Sequence, residues 1–233
     1  MSAPSAKALF RATKPKSKPL PGQIEAFPDL EDQMAPEEGR DPLDFDPTPP
    51  DATAAFLAME QDHMRKHGNV VWENAVGAGH MASVLCTYGF KVYASDIVDR
   101  GHPNTFVRSF YEYDRAPAKI CVTNPPYCEI NARDGHGRWL KHLISLNVPY
   151  VALLLNADWP AARKNGLDAL LEAHPPSIEY LCCWKIDFRG GGSPPQRNSF
   201  FVWDRNRPAP APNTWLRTRL YREANSTQEA LPL

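Results

Sequence analysis

Four consecutive residues, Asn124-Pro125-Pro126-Tyr127, have types and spacing that suit one narrow kind of chemistry. Two successive prolines hold φ at about −65° and donate no backbone hydrogen bonds, so the turn is stiff. Its carbonyls and flanking side chains therefore point in set directions. An exocyclic amine on an adenine ring is a poor nucleophile, because its lone pair is delocalised into the heterocycle. The carboxamide oxygen of Asn124 and the carbonyl of Pro125 can each accept one of its two hydrogens. That localises the pair on nitrogen and aims it at an electrophilic carbon. Asn rather than Asp limits the desolvation cost. Tyr127 offers a flat face for stacking a base turned out of a helix. A Pro-Pro loop without a catalytic role is the lesser reading of the tetrapeptide.

A second constellation lies upstream, in Glu73-Asn74-Ala75-Val76-Gly77-Ala78-Gly79. Gly77 and Gly79 permit positive φ and a close backbone approach to a ligand, and a helical pattern starts at His80. A lone GxG is weak, since a structural turn also explains it. It is not the full dinucleotide pattern, because Ala82 stands where the third glycine is expected. Asp96 ends the next apolar run, 17 residues past Gly79, with Ile97 after it. A carboxylate there can accept two hydrogen bonds from a ribose diol, or else cap its own loop. Together the two motifs point to a nucleoside ligand without saying which.

The elements that must position these residues are legible as alternating patterns. Residues 69–73, 91–97, 119–123, 150–156 and 178–185 are short apolar runs rich in β-branched and aromatic side chains, and they read as strands buried on both faces. Residues 200–203 (FFVW) close the set as a late strand, parallel or antiparallel to the rest. Helical patterns cover 53–66, 80–88 (with Gly89 as a stop), 139–146 and 159–173. Strands alternating with helices predict an α/β fold, a parallel sheet covered on both faces. In such a sheet ligands sit beyond the carboxyl ends of the strands, where both motifs fall.

The chain of 233 residues has room for one mid-sized domain with tails. Residues 1–45 read as a disordered tail. Its basic start (Lys7, Arg11, Lys14, Lys16, Lys18) and acidic continuation carry few large apolar residues to offset the entropy of ordering. The basic arm reads as a solvated segment before it reads as a phosphate contact. Residues 46–206 form the predicted domain, and 207–233 a Pro-rich extension in which Trp215, Leu216, Leu220 and Tyr221 can dock as a short element. The net charge of −1 announces no global nucleic-acid binder, so any such face must be a local patch. The five cysteines show no paired metal spacing and read as reduced thiols. No metal is expected. No apolar run approaches the ~20 residues of a membrane helix, and a cytoplasmic protein with no membrane partner is expected.

These patterns together resemble the amino-methyltransferases of the class I, seven-stranded, Rossmann-like S-adenosylmethionine-dependent fold, most of all the phage-type N6-adenine DNA methyltransferases. The resemblance covers roughly residues 46–206 and rests on the NPPY tetrapeptide and on the acidic-x-x-x-G-x-G loop from Glu73 to Gly79. It implies S-adenosyl-L-methionine as cofactor, held by Glu73, Asn74, Ala75, Gly77, Gly79, Asp96 and Ile97. Asn74 departs from the proline usual at that position. It further implies that Asp114, ten residues before Asn124, bonds the adenine amine of the cofactor. Thr48, within Pro47-Thr48-Pro49-Pro50, would sit in an entry loop near its methionine end, although a proline-rich linker explains that segment as well. Asn124, Pro125, Pro126 and Tyr127 would form the catalytic loop. Residues 189–195 (RGGGSPP) resemble a late loop of phage relatives, so Arg189, Ser193 and Arg197 become candidate substrate contacts, with DNA as the expected partner and RNA as an option. Between Lys185 and Arg222 eight basic residues face two acidic ones, which suits a DNA face or a solvated surface. His136, Arg138 and Lys141 are either backbone contacts or a solvent-facing helix side.

The same tetrapeptide serves enzymes that methylate adenine in structured RNA or a glutamine amide of a protein. A catalytically inactive nucleoside-binding subunit is a further reading, against which the retention of Glu73, Asp96 and NPPY together argues. The segments 128–149 and 186–198 are too short for an elaborate base-reading region.

Overall fold

The computed structural model describes residues 46–130, 137–161, 167–191 and 196–222, all within one compact unit, Asp41–Leu233. Pro49 precedes the first helix and Pro50 opens it, so the fixed φ of proline falls where no N–H is needed. This helix α1 (Pro50–Arg65) carries Asp51 in its first turn and His63 and Arg65 in its last, which complements its dipole. Then come β1 (Val70–Glu73), α2 (His80–Thr87), β2 (Lys91–Asp96), β3 (Phe106–Val107) and a 3-10 turn at Phe110–Glu112. The middle of the chain adds β4 (Ile120–Thr123), α3 (Tyr127–Ile130), α4 (Arg138–Ser145), β5 (Tyr150–Asn156) and a second 3-10 turn at Trp159–Ala161. The remainder is α5 (Leu167–Ala173), β6 (Ile178–Cys182), β7 (Asn198–Asp204) and β8 (Leu216–Leu220).

The eight strands form one sheet in the order β3-β2-β1-β4-β5-β7-β6-β8. All are parallel except β7, which runs antiparallel between β5 and β6. Alternate side chains of one strand feed two cores. On β5, Tyr150, Ala152 and Leu154 pack with Phe56, Leu57 and Leu85 of α1 and α2. Val151, Leu153 and Leu155 pack on the other face with Leu140, Leu143, Leu167 and Leu171 of α4 and α5. A strand buried on both faces reads as a continuous apolar run, which is why 150–156 carried no polar alternation.

The expected α/β sheet is present, with an eighth strand beyond the seven anticipated. Leu216–Leu220, inside the Pro-rich extension, pairs with β6 residue for residue. A buried carboxylate explains the docking: Glu179 of β6, fully buried, accepts from Ser199 Oγ (2.9 Å), Trp215 Nε1 (3.1 Å) and Arg217 Nε (2.9 Å). A similar device fixes α1. Its buried Glu60 receives the Tyr150 hydroxyl at 2.7 Å, the Tyr180 hydroxyl, and Arg207 Nη2 at 2.8 Å to each oxygen. Burial, and next the charge of Glu60, push the Tyr150 hydroxyl well above its usual range, so it stays a donor. The two-residue β3 lies among exposed side chains and carried no pattern to predict it. The pattern over 159–173 resolves into the 3-10 turn and α5, with 162–166 outside the described residues. No helix among the described residues is long and apolar enough to cross a membrane.

Candidate active site

The strand order reverses at β1, which has β2 on one side and β4 on the other. Beyond that crevice the chain leaves β1 at Glu73 and turns through Gly77 (φ 54°) and Gly79 (φ 84°) into α2. The loop is tied to the end of β2: Val76 N donates to Ser95 O (3.1 Å) and Gly77 N to Asp96 Oδ2 (2.8 Å), while Val98 N donates to Asp96 Oδ1 (3.2 Å). The two glycines have different tasks. Gly77 lines a cavity of about 410 Å³. Gly79 does not; a Cβ there would lie 2.0 Å from Nδ1 of His102, whose ring covers the start of α2.

Two buried polar side chains on this loop have atoms without partners among the described residues. Glu73 is 3% exposed with Oε2 unpaired, and Asn74 is 3% exposed with both carboxamide atoms unpaired. Both line the cavity. Burial, and then the charge of Asp96, raise the Glu73 carboxyl well above its ordinary range.

From β4 the chain passes through Thr123 into Asn124-Pro125-Pro126-Tyr127. Asn124 Nδ2 donates to Thr48 Oγ1 at 3.1 Å and to the Asp46 carbonyl at 3.4 Å. With its amino end held, the carboxamide keeps Oδ1 on the inside, buried and without a partner among the described residues. Asn124, Thr48 and Pro126 line the cavity that Gly77 lines. Pro125 is buried behind them and does not reach it. Tyr127 opens α3, and its hydroxyl accepts from Asn198 Nδ2 of β7 at 2.9 Å; it too stands outside the cavity lining, against the core under α4 and α5. The aromatic side chains that do line the cavity are Phe110, Tyr111 and Trp139. Phe110 stacks on Trp139 with centroids 4.1 Å apart. Glu129 receives the Tyr111 hydroxyl at 2.7 Å and both arms of Arg138, which clamps this wall together.

Of the other predicted cofactor residues, Ala75, Asp96 and Ile97 line the cavity. Asp114 is exposed and does not; from that segment Ser109, Phe110 and Tyr111 enter the lining, because the 3-10 turn at 110–112 folds them inward. Sequence reasoning missed these three together with Asp46, Glu129 and Trp139. Of these, only Phe110 and Tyr111 carry a sequence signal, the aromatic-rich FYEY at 110–113, which marks apolar surface without saying which way the turn faces.

No family model matches the sequence, and no curated protein matches it. Solved structures do. A candidate RNA methyltransferase from Pyrococcus horikoshii superposes with a TM-score of 0.56 at 13% identity, over 78% of this chain and 98% of its own. A candidate class I S-adenosylmethionine-dependent methyltransferase from Listeria monocytogenes gives 0.54 at 12% identity, over 85% of this chain and 73% of its own. The chain has the class I methyltransferase fold.

On this methyltransferase fold, of the candidate nucleic-acid residues that are described, Arg138 lines the cavity and Arg189, Arg197 and Lys141 do not. Arg189 is exposed and its Nε pairs with Asp46 Oδ1 at 3.1 Å, Arg197 is exposed, and Ser193 and His136 fall outside the described residues. Of the eight basic residues between 185 and 222, four have carboxylate partners: Arg189 with Asp46, Arg207 with Glu60, Arg217 with Glu179 and Arg222 with Asp51. Two of these pairs, those to Glu60 and Glu179, answer carboxylates buried in the fold, and the other two lie at the surface. Arg138 pairs with Glu129, and Lys141 is exposed. Among the described residues no group of three or more His, Cys, Asp or Glu could hold a metal ion.

Proposed function

We propose that this chain is an S-adenosylmethionine-dependent N-methyltransferase acting on the exocyclic N6 amine of adenine in DNA. The observation that carries the reading is Asn124 Oδ1. It is an acceptor buried in the cavity wall, oriented by the Nδ2 contact to Thr48 and unpaired. An unpaired buried acceptor costs about 1–3 kcal/mol, and an amine N–H would recover that cost.

The glycine-loop side of the cavity fits the cofactor. A carboxylate has about four lone-pair directions, so Asp96 can hold the Gly77 and Val98 amides and still accept from a ribose diol. Glu73 Oε2 and the Asn74 carboxamide, unpaired among the described residues, suit the ammonium and carboxylate of an amino-acid end. When bound, S-adenosylmethionine supplies an electrophilic methyl group. The protein's part is to hold the amine by Asn124 Oδ1, to keep water from the wall made by Phe110 and Trp139, and to aim the nitrogen lone pair. Transfer would break the cofactor's S–CH₃ bond and leave the neutral thioether S-adenosylhomocysteine, and the methylated nitrogen, made acidic, would lose one proton to solvent. The choice of DNA rests on the likeness of the NPPY and glycine-loop segments to N6-adenine DNA enzymes. Exposed Arg189 and Arg197 are the side chains that would reach phosphate.

Incubation of the protein with methyl-tritiated cofactor and separate DNA, RNA and protein acceptors tests this reading. Label is expected in DNA, at N6 of adenine, and Asn124→Ala is expected to reduce it by about 10²–10³-fold, as for loss of a donor or acceptor at a reacting centre. Label in RNA or in a glutamine amide instead would overturn the DNA assignment.

A further inference from the structure

Six tryptophans are present, and four of them donate the indole N–H to a defined acceptor: Trp72 to Ser95 Oγ (2.8 Å), Trp159 to Ile130 O (3.0 Å), Trp203 to His174 O (2.9 Å) and Trp215 to Glu179 Oε2 (3.1 Å). Trp139 and Trp184 have no partner for Nε1 among the described residues. Trp184 lies away from the cavity, under the Arg222 guanidinium. Trp139 is 5% exposed, its Nε1 is buried, and it stands in the cavity wall. A buried donor left unpaired in a ligand cavity asks for an acceptor on the ligand.

Neighbouring side chains say which part of a ligand that is. Asp96 is the ribose candidate, Ile97 follows it on the cavity lining with 60% of its surface exposed, and Phe110 presents a ring on the wall shared with Trp139. Resting on the cofactor reading above, the base joined to that ribose falls between Ile97 and the Phe110–Trp139 wall. Adenine offers ring nitrogens as acceptors there, whereas its exocyclic amine accepts poorly. We propose that Trp139 is a cofactor-recognition residue whose indole N–H donates to a purine ring nitrogen, while Phe110 braces the indole plane.

Calorimetry with S-adenosylhomocysteine and its 1-, 3- and 7-deaza analogues tests the proposal. Trp139→Phe keeps an aromatic ring against Phe110 and removes the N–H together with the second ring of the indole, so the deaza analogues isolate the hydrogen bond. Its affinity for S-adenosylhomocysteine should fall about 5- to 10-fold, the worth of one neutral hydrogen bond. The wild type should lose the same factor on one deaza analogue, and that analogue should bind Trp139→Phe no worse than the parent does. A purely structural role would weaken all four ligands alike and would overturn the proposal, as would unchanged binding by Trp139→Phe. An effect confined to acceptor KM would place Trp139 in the acceptor subsite and overturn it too. Should Trp139→Phe fail to fold, equal wild-type affinity for all four ligands suffices to refute it. Wild-type protein that binds no S-adenosylhomocysteine would refute the cofactor reading itself, a separable result.

Discussion

Glu73 illustrates how a binding residue works against the stability of the empty fold. Its carboxyl is buried beside Asp96 and is held protonated above the ordinary 4.5. The folded chain therefore keeps a proton that the unfolded chain gives up, and stability falls as pH rises from 4.5 through the raised value. Glu73→Gln removes the ionisation and nearly preserves shape. The variant is expected to melt about 2–4 °C above the wild type at pH 8 without ligand, corresponding to roughly 1 kcal/mol, and to match it near pH 4. Melting scans against pH check this. In the presence of S-adenosylhomocysteine the order should invert, because the cation that stabilises an ionised Glu73 brings no such gain to glutamine. A wild type that melts higher than the variant at pH 8 without ligand would contradict the assignment. At this scale residue type suffices to single out Asn124, Gly77 and Asp96, and the fold gathers all three on one cavity. The sequence was silent on Asp114 against Ser109–Tyr111, since which of two neighbouring turns faces the crevice depends on a 3-10 turn that no local pattern announces.

At the scale of elements, the entry into α2 joins the cofactor loop to the segment after β2. Gly79 sits at φ 84° with the His102 ring packed where a side chain would begin. Gly79→Ala would combine left-handed backbone strain of about 1–2 kcal/mol with a clash against His102. Chemical denaturation should show a loss of about 2–4 kcal/mol. Adding His102→Ala should return the part due to the clash and leave the backbone strain. If the double variant were no more stable than Gly79→Ala, the His102 contact would not be what selects glycine here. The element boundaries were largely readable: 150–156 is β5 as expected, and α1, α2 and α4 begin or end within a few residues of their patterns. Hydrophobic period and flanking Gly or Pro suffice for buried elements. They fail for β3, which is two residues long and faces solvent, and for β8, whose Leu-Arg-Thr-Arg-Leu pattern is set by pairing with a distant strand.

For the whole molecule, the β7 strand inserted antiparallel between β5 and β6 makes the late part of the chain structural. The basic residues near it illustrate why composition misleads: Arg207 and Arg217 neutralise Glu60 and Glu179, two carboxylates that the interior could not otherwise hold. The excess of positive charge is visible in the sequence, whereas the position of the balancing negative charge is visible only in the fold. The expected domain limit at residue 206 has a practical outcome for anyone shortening this protein. A product ending there would keep Glu179 while deleting Trp215, Arg217 and the strand that shields the β6 rim. It should aggregate on expression, and gel filtration should recover monodisperse material only from versions that run past Leu220.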